Sequence, residues 1–72
     1  MTTLNFTYDV IFNDSESTSS KGWSESYLTC LDYIKTWNGT PASYFKDYVG
    51  GTVSIVCNET EDNCYSEDIY LN

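Results

Sequence analysis

The chain has 72 residues, and its 11 acidic side chains against 3 lysines, with no arginine or histidine, give a formal net charge of −8. This length holds one domain with one small core, which excludes a two-lobed enzyme with a deep cleft. The commonest general base and the bidentate phosphate clamp are both missing, and the negative charge argues against direct binding to nucleic acid or anionic lipid. We therefore expect no enzymatic activity, no catalytic residue and no cofactor.

The first element is a strand followed by a loop. Residues 3–12 alternate between apolar and polar side chains, which is typical of a β-strand with one buried face. The apolar face consists of Leu4, Phe6, Tyr8, Val10 and Phe12. Residues 13–22 are polar, rich in serine and end in glycine, and they predict a mobile polar loop.

A helix is predicted over residues 23–37, where apolar side chains recur every three to four positions. The stripe contains Trp23, Tyr27, Leu31 and Ile34, and Leu28, Cys30 and Trp37 widen it. Gly22 or Ser24 is the expected N-cap, and Glu25 would complement the helix dipole in the first turn. Asn38-Gly39 is expected to end the helix in a left-handed conformation, and Pro41 prevents its continuation.

The second half of the chain predicts a short helical turn and a hairpin. Thr40-Pro41 resembles a helix start, and Ala42–Asp47 would form a short helix packed through Tyr44, Phe45 and Tyr48 and ended by Gly50-Gly51. Residues 52–57 and 64–71 predict two strands joined by the acidic turn 58–63. Val53, Ile55 and Cys57 would point inward, and Cys57 would face Cys64 across the hairpin.

These elements predict a single α+β domain spanning residues 1–72, in the order β-α-β-β. A three-stranded antiparallel sheet would be covered by one helix plus the short helical turn, with the first strand either central or at an edge. The expected core is Leu4, Phe6, Tyr8, Val10, Leu31, Ile34, Val53 and Ile55. With no signal peptide recognisable at residues 1–12 and an odd number of cysteines, we expect a cytoplasmic protein with three free thiols.

The clearest candidate for a binding surface is acidic. Five carboxylates crowd the predicted hairpin: Glu59, Glu61, Asp62, Glu67 and Asp68. Asp14 and Glu16 in the first loop would add to them, and Tyr70 lies off the predicted inner faces, where tyrosine suits an interface. Carboxylates on one strand face recur about every 7 Å, which is near the phosphate spacing of a single nucleic-acid strand, so a basic groove could accept them. The alternative is a solvated surface that only keeps the protein in solution.

Metal binding is not predicted. The cysteines form no C-x-x-C pair and no histidine can complete a zinc site. The run from Asn58 to Asn63 offers oxygen atoms but lacks the spacing of a calcium loop. We therefore expect no resident metal ion.

Residues 43–67 read SYFKDYVGGTVSIVCNETEDNCYSE. This segment resembles the closing block of short acidic β-α-β-β proteins encoded by bacteriophages, of the anti-CRISPR or anti-defence type. The matching pieces are Ser43-Tyr44-Phe45, Asp47-Tyr48, Gly50-Gly51-Thr52-Val53 and Glu59-Thr60, whereas Glu61 stands where a glycine often follows in such turns. The resemblance implies a phage inhibitor that binds a basic, nucleic-acid-binding host protein such as a CRISPR effector complex, in some cases by mimicking nucleic acid. An immunity or antitoxin-like nuclease inhibitor, and an accessory phage protein with no inhibitory role, remain the alternatives.

Overall fold

The fold is one helix packed on a four-stranded open sheet. The computed structural model describes residues 6–71. Its elements are β1 (Tyr8–Asn13), β2 (Thr18–Ser20), α1 (Tyr27–Trp37), β3 (Thr52–Cys57) and β4 (Asn63–Asp68). The strands lie in the order β2-β1-β3-β4, and every pair is antiparallel. The predicted α+β class with a single covering helix is confirmed, but the sheet has four strands rather than three, and the first predicted strand is central.

The additional strand, β2, forms inside the segment predicted to be a loop. The Oδ1 atom of Asp14 accepts the backbone N–H groups of Glu16 and Ser17, both at 2.8 Å, and closes a tight turn after β1. Residues 18–20 then pair with the end of β1, from Ile11 to Asn13. The segment predicted as a polar loop, residues 13–22, therefore contains a short strand, β2. A three-residue polar edge strand has no buried apolar face, so its sequence carries no alternation to detect.

The helix begins four residues later than predicted. Ser26 is the N-cap, and its Oγ atom accepts the N–H of Thr29 at 3.1 Å. The preceding residues are held extended, because Tyr8 and Glu25 exchange two backbone hydrogen bonds of 2.7 and 3.1 Å. Gly22 and Ser24 are thus not the cap, and Glu25 lies outside the first turn. At the other end, Asn38 is extended and Gly39 alone takes the left-handed conformation, with φ +92°.

The predicted short helix is a series of turns. The backbone N–H of Lys46 donates to the carbonyl of Ala42, four residues earlier, at 3.0 Å. Tyr44, in the middle of this turn, has φ +72°, which is incompatible with a right-handed helix, so no helix forms here. Phe45 and Tyr48 are buried, as predicted, and fill the space between the turns and the sheet.

The core lies between the sheet and α1. Its most deeply buried side chains are Val10, Phe12, Cys30, Ile34, Phe45, Val53 and Ile55. Leu31, predicted to be in the core, is only half-buried, and Phe6 is 41% exposed because sheet pairing begins at Tyr8. Leu28 is 73% exposed, so the predicted apolar stripe of the helix was too wide. Leu4 lies outside the described residues.

The hairpin of β3 and β4 contains an irregularity that separates the two cysteines. Ile55 lies opposite Tyr65 and Val56 opposite Asn63, so Cys64 is left as an extra residue. It is exposed, whereas Cys57 is buried, and the predicted pairing of the two across the hairpin is wrong. All three cysteines are free thiols. Burial raises the pKa of the Cys30 thiol to about 11, helped by the nearby charges of Asp9 and Glu25.

Candidate functional site

The 11 carboxylates divide into two groups that the sequence does not distinguish. Four are used inside the protein as hydrogen-bond acceptors: Asp9, Asp14, Glu59 and Glu67. The other seven are exposed and accept no hydrogen bond from residues 6–71: Glu16, Glu25, Asp32, Asp47, Glu61, Asp62 and Asp68. Only the second group can meet a partner without losing a hydrogen bond within residues 6–71.

Glu67 joins the end of the helix to β4. Its carboxylate accepts hydrogen bonds from Lys35 Nζ at 2.9 Å, from the Asn38 amide and from the Tyr65 hydroxyl. Asn38 is itself buried, and its amide also donates to the carbonyl of Asp68 at 2.8 Å. Burial acts to raise the pKa of Glu67, but the hydrogen bonds from Tyr65, Lys35 and Asn38 and the charge of Lys35 outweigh it and lower the pKa. Interactions with the Tyr65 hydroxyl first, and then with the Glu67 carboxylate, raise the pKa of Lys35.

Glu59 ties the hairpin turn to the residue before β1. Its Oε1 atom accepts the backbone N–H of Thr7 at 2.8 Å, and its Oε2 atom accepts the Thr7 hydroxyl at 3.1 Å. These hydrogen bonds, that of the Thr7 backbone first, lower the pKa of Glu59. The neighbouring Asn58 adds a hydrogen bond of 2.9 Å to the Trp23 carbonyl. Glu59 is thus a structural acceptor as well as a member of the acidic surface.

Asp9 and Asp14 stabilise backbone turns. Asp9 is buried although the alternation placed it on the polar face, and its Oδ1 atom accepts the N–H groups of Val10 and Trp23 at 2.7 and 2.9 Å. It therefore holds the segment between β2 and α1 against β1. The hydrogen bonds from the backbone of Glu16 and Ser17 lower the pKa of Asp14.

The predicted acidic surface is split between the two ends of the sheet. Glu59, Glu61 and Asp62 lie in the turn between β3 and β4, beside the start of β1. Asp14 and Glu16 follow the end of β1, at the other end of the sheet. Asp68 also lies at this end, because it pairs with Thr52, which pairs with the last residue of β1. Six-residue strands separate the two ends by about 17–20 Å. A single row of carboxylates along the hairpin is therefore not present.

Tyr70 lies at the Asp68 end. It is 50% exposed, and its backbone N–H donates to the Asn38 Oδ1 atom at 3.3 Å. Leu71 bridges to Gly39 just beyond the helix, so the exposed Trp37 belongs to the same end of the molecule. The sequence pattern predicted that Trp37 belongs to the buried stripe of the helix. The one signal for its exposure is its position in the last turn, where the helix can extend beyond the edge of the sheet.

Two of the three lysines are engaged within the protein. Lys35 pairs with Glu67. Lys21 has its Nζ atom over three aromatic rings, those of Trp23, Tyr33 and Tyr44, at 5.4, 5.3 and 4.7 Å from their centroids. Lys46 is exposed and forms neither an ion pair nor a ring contact within residues 6–71. The acidic surface is consequently almost uncompensated.

No cavity is found in the part of the chain that the structure describes. Among residues 6–71, no three acidic or cysteine side chains lie close enough together to hold a metal ion. None of the helices formed by these residues has the length and apolar character needed to cross a membrane.

Comparison with known proteins identifies no relative. No family model, no curated protein sequence and no solved structure matches the chain.

Proposed function

We propose that this protein is a small acidic inhibitor of phage type that binds a basic host defence protein in the host cytosol. The partner is a protein that itself binds nucleic acid, and the partner that we propose first is a CRISPR effector complex. Binding occurs between the exposed carboxylates and the partner's basic groove, and it competes with nucleic acid for that groove.

One observation carries the proposal, namely the imbalance of free surface charge. Seven exposed carboxylates have no partner within residues 6–71, whereas two of the three lysines are held by Glu67 and by aromatic rings. A surface with one sign of charge accelerates association with an oppositely charged partner and repels nucleic acid. The resemblance of residues 43–67 to phage anti-defence proteins supports the same class of partner.

The geometry favours attraction by distributed charge over close imitation of a phosphate row. Adjacent strand residues point to opposite faces of a sheet, so Glu67 and Asp68 cannot belong to one row. The turn carboxylates Glu61 and Asp62 and the opposite-end carboxylates Glu16 and Asp68 form two separate charged regions. Tyr70 stands beside the second region and would give it an apolar contact.

The direct test is competition for target DNA. A panel of purified CRISPR effector complexes is mixed with labelled target DNA, and DNA binding is measured as the protein is added. We expect DNA binding to fall at low salt and to recover as the salt concentration rises. Excess DNA added first should block binding of the protein.

Two results would contradict the proposal. One is unchanged DNA binding across the panel. The other is inhibition that does not depend on salt, which would indicate an apolar interface. A nuclease inhibited in the same assay format, with every effector complex unaffected, would instead favour the immunity-type alternative.

A further inference from the structure

Lys21 occupies a cage of three aromatic rings. Its Nζ atom lies over Trp23, Tyr33 and Tyr44, on three different segments of the chain: the connection after β2, the helix, and the turns before β3. No carboxylate within residues 6–71 pairs with this ammonium group. The negative faces of the rings are therefore its main counterpart.

The cage is held rigid by the core behind it. Tyr44 stacks on the buried Phe12, with centroids 5.1 Å apart, and Tyr33 contacts the buried Phe45 at 5.5 Å. Trp23 and Tyr33 meet edge to face at 4.9 Å. Packing of this kind fixes the walls before any ligand arrives, which is how preorganised sites limit the entropic cost of binding.

The backbone at one wall is strained. Tyr44 adopts φ +72°, a conformation that residues other than glycine, asparagine and aspartate rarely take. Such residues concentrate at binding and catalytic sites, where the surrounding structure maintains them. The strain at Tyr44 thus coincides with the ring that lies nearest to the Lys21 ammonium.

The spacing of the three rings around the Lys21 nitrogen is also compatible with a methylated nitrogen. An N-methyl group extends about 1.5 Å from its nitrogen, and its carbon contacts a ring at about 3.5–4 Å. A methylated nitrogen would accordingly sit about 5 Å from each ring face. The Lys21 nitrogen lies 4.7–5.4 Å from the three ring centroids, the range of an ordinary lysine cation–π contact such as Lys35 over Tyr65 at 5.3 Å, and this range also accommodates a methylated nitrogen.

We propose that Trp23, Tyr33 and Tyr44 form a binding site for a quaternary ammonium group, and that Lys21 fills this site as an internal competitor. The lysine backbone is anchored, since its N–H donates to the Val10 carbonyl at 3.0 Å, but its flexible side chain is free to leave. All three rings are only half-buried, so a ligand can reach them from solvent. This site goes beyond the proposed function and does not depend on it.

Choline chloride is the probe, and 3,3-dimethyl-1-butanol, which has the same shape without the charge, is its control. A Trp37→Phe background leaves Trp23 as the only tryptophan, because the chain has two. We expect choline to change Trp23 fluorescence saturably, and Lys21→Ala to bind it about tenfold more tightly than the background protein. Adding Tyr44→Gly to Lys21→Ala removes one wall, keeps the positive φ accessible, and should abolish that gain.

Lys46→Ala is the matched lysine control and should leave choline binding unchanged. Far-UV circular dichroism verifies folding, and Lys21→Gln replaces Lys21→Ala if the latter does not fold. The proposal is overturned if the Lys21 variant shows no saturable response, if the neutral alcohol binds equally well, or if Lys46→Ala produces the same gain. N-acetyl-trimethyllysine is a second probe. If it binds more tightly than choline, the natural ligand is a methylated lysine side chain. If it binds more weakly, the ligand is a small molecule or a lipid headgroup.

Discussion

Glu67 and Asp68 are neighbours in the chain and carry the same charge, yet the Glu67 side chain has a structural role and the Asp68 side chain does not. Glu67 points towards the helix and is held by Lys35 and Asn38, whereas Asp68 is exposed. The alternation of the strand places Glu67 on the apolar face beside Tyr65, but its partners Lys35 and Asn38 lie 32 and 29 residues away. No local pattern connects them, which is why the sequence grouped both residues into one binding surface.

Loss of the Glu67 charge should therefore destabilise the fold, unlike loss of the Asp68 charge. We expect Glu67→Gln to lower the free energy of unfolding by about 1–2 kcal/mol, because three donors lose a charged acceptor. Asp68→Asn makes the same charge change at an exposed site and should alter it by less than about 0.5 kcal/mol. Urea unfolding at pH 7 compares the two, and equal effects would contradict the assignment of Glu67.

The effect of Glu67→Gln should also depend on pH. The pKa of Glu67 in the folded protein lies below its ordinary value of 4.5, so the ionised group stabilises the fold above that pH. The contribution is lost as the pH falls from 4.5 through the lowered pKa of the folded state. The stability gap between parent and Glu67→Gln should thus be full at pH 7 and smaller at about pH 3. A gap that stays constant between these pH values would show that the charge of Glu67 has no such role.

At the scale of the elements, strong periodicity was sufficient to predict β3 and the presence of the helix. Val53, Ile55 and Cys57 are buried as their alternation predicted. The start of the helix could not be predicted in the same way, because Trp23 fits the helical stripe but is drawn away by the backbone pairing of Glu25 with Tyr8. Long-range backbone pairing of this kind overrides local spacing.

Ile34, and not Leu31, is the helix residue that we expect to contribute most to the stability of the fold. Ile34 is completely buried, so Ile34→Ala should cost about 2–5 kcal/mol and bring a domain of this size close to unfolding. Leu31 is half-buried and Leu31→Ala should cost clearly less. Leu28→Ala is the exposed control on the same helix and should have little effect. Thermal unfolding of the three variants checks this order, and a larger loss for Leu31→Ala would contradict the observed helix face.

Gly51 is required by the approach of the chain to the end of β1. A Cβ atom at this position would lie 2.1 Å from the carbonyl oxygen of Asn13, which neither backbone can accommodate without moving. The sequence explained the glycine pair only as the end of a helix, since a long-range contact leaves no local signal. We expect Gly51→Ala to destabilise the protein by more than about 1 kcal/mol.

Gly22→Ala separates this clash from simple backbone strain. Gly22 has φ +69° with open space around it, so alanine there should cost only about 1–2 kcal/mol. Chemical denaturation of both variants makes the comparison. If Gly51→Ala is the milder of the two, the close approach to Asn13 does not restrict this position.

At the scale of the whole molecule, composition predicted the sign of the surface but not its layout. The net charge of −8 follows from the sequence. The chain order of the carboxylates, however, placed Asp14 and Glu16 with the hairpin turn, whereas the antiparallel sheet puts them at its opposite end. Which residues share an end depends on strand order, and strand order is set by pairings that no single segment encodes.

Two matched pairs of variants show which end meets the partner. The double variant Glu61→Gln/Asp62→Asn removes two charges at the hairpin turn. The double variant Glu16→Gln/Asp68→Asn removes two charges at the other end of the sheet. Glu59 is left unchanged, because its carboxylate accepts a hydrogen bond from Thr7. We expect both pairs to fold, and the pair at the contacting end to weaken partner binding more, with each rim charge contributing about 0.2–1 kcal/mol. Binding is measured from low to high salt, and the weakened pair should also show the shallower salt dependence, since fewer ions are exchanged on association. If both pairs bind as tightly as the parent at low salt, the acidic ends serve only as a solvated surface, and the contact lies on the helix face or at Trp37.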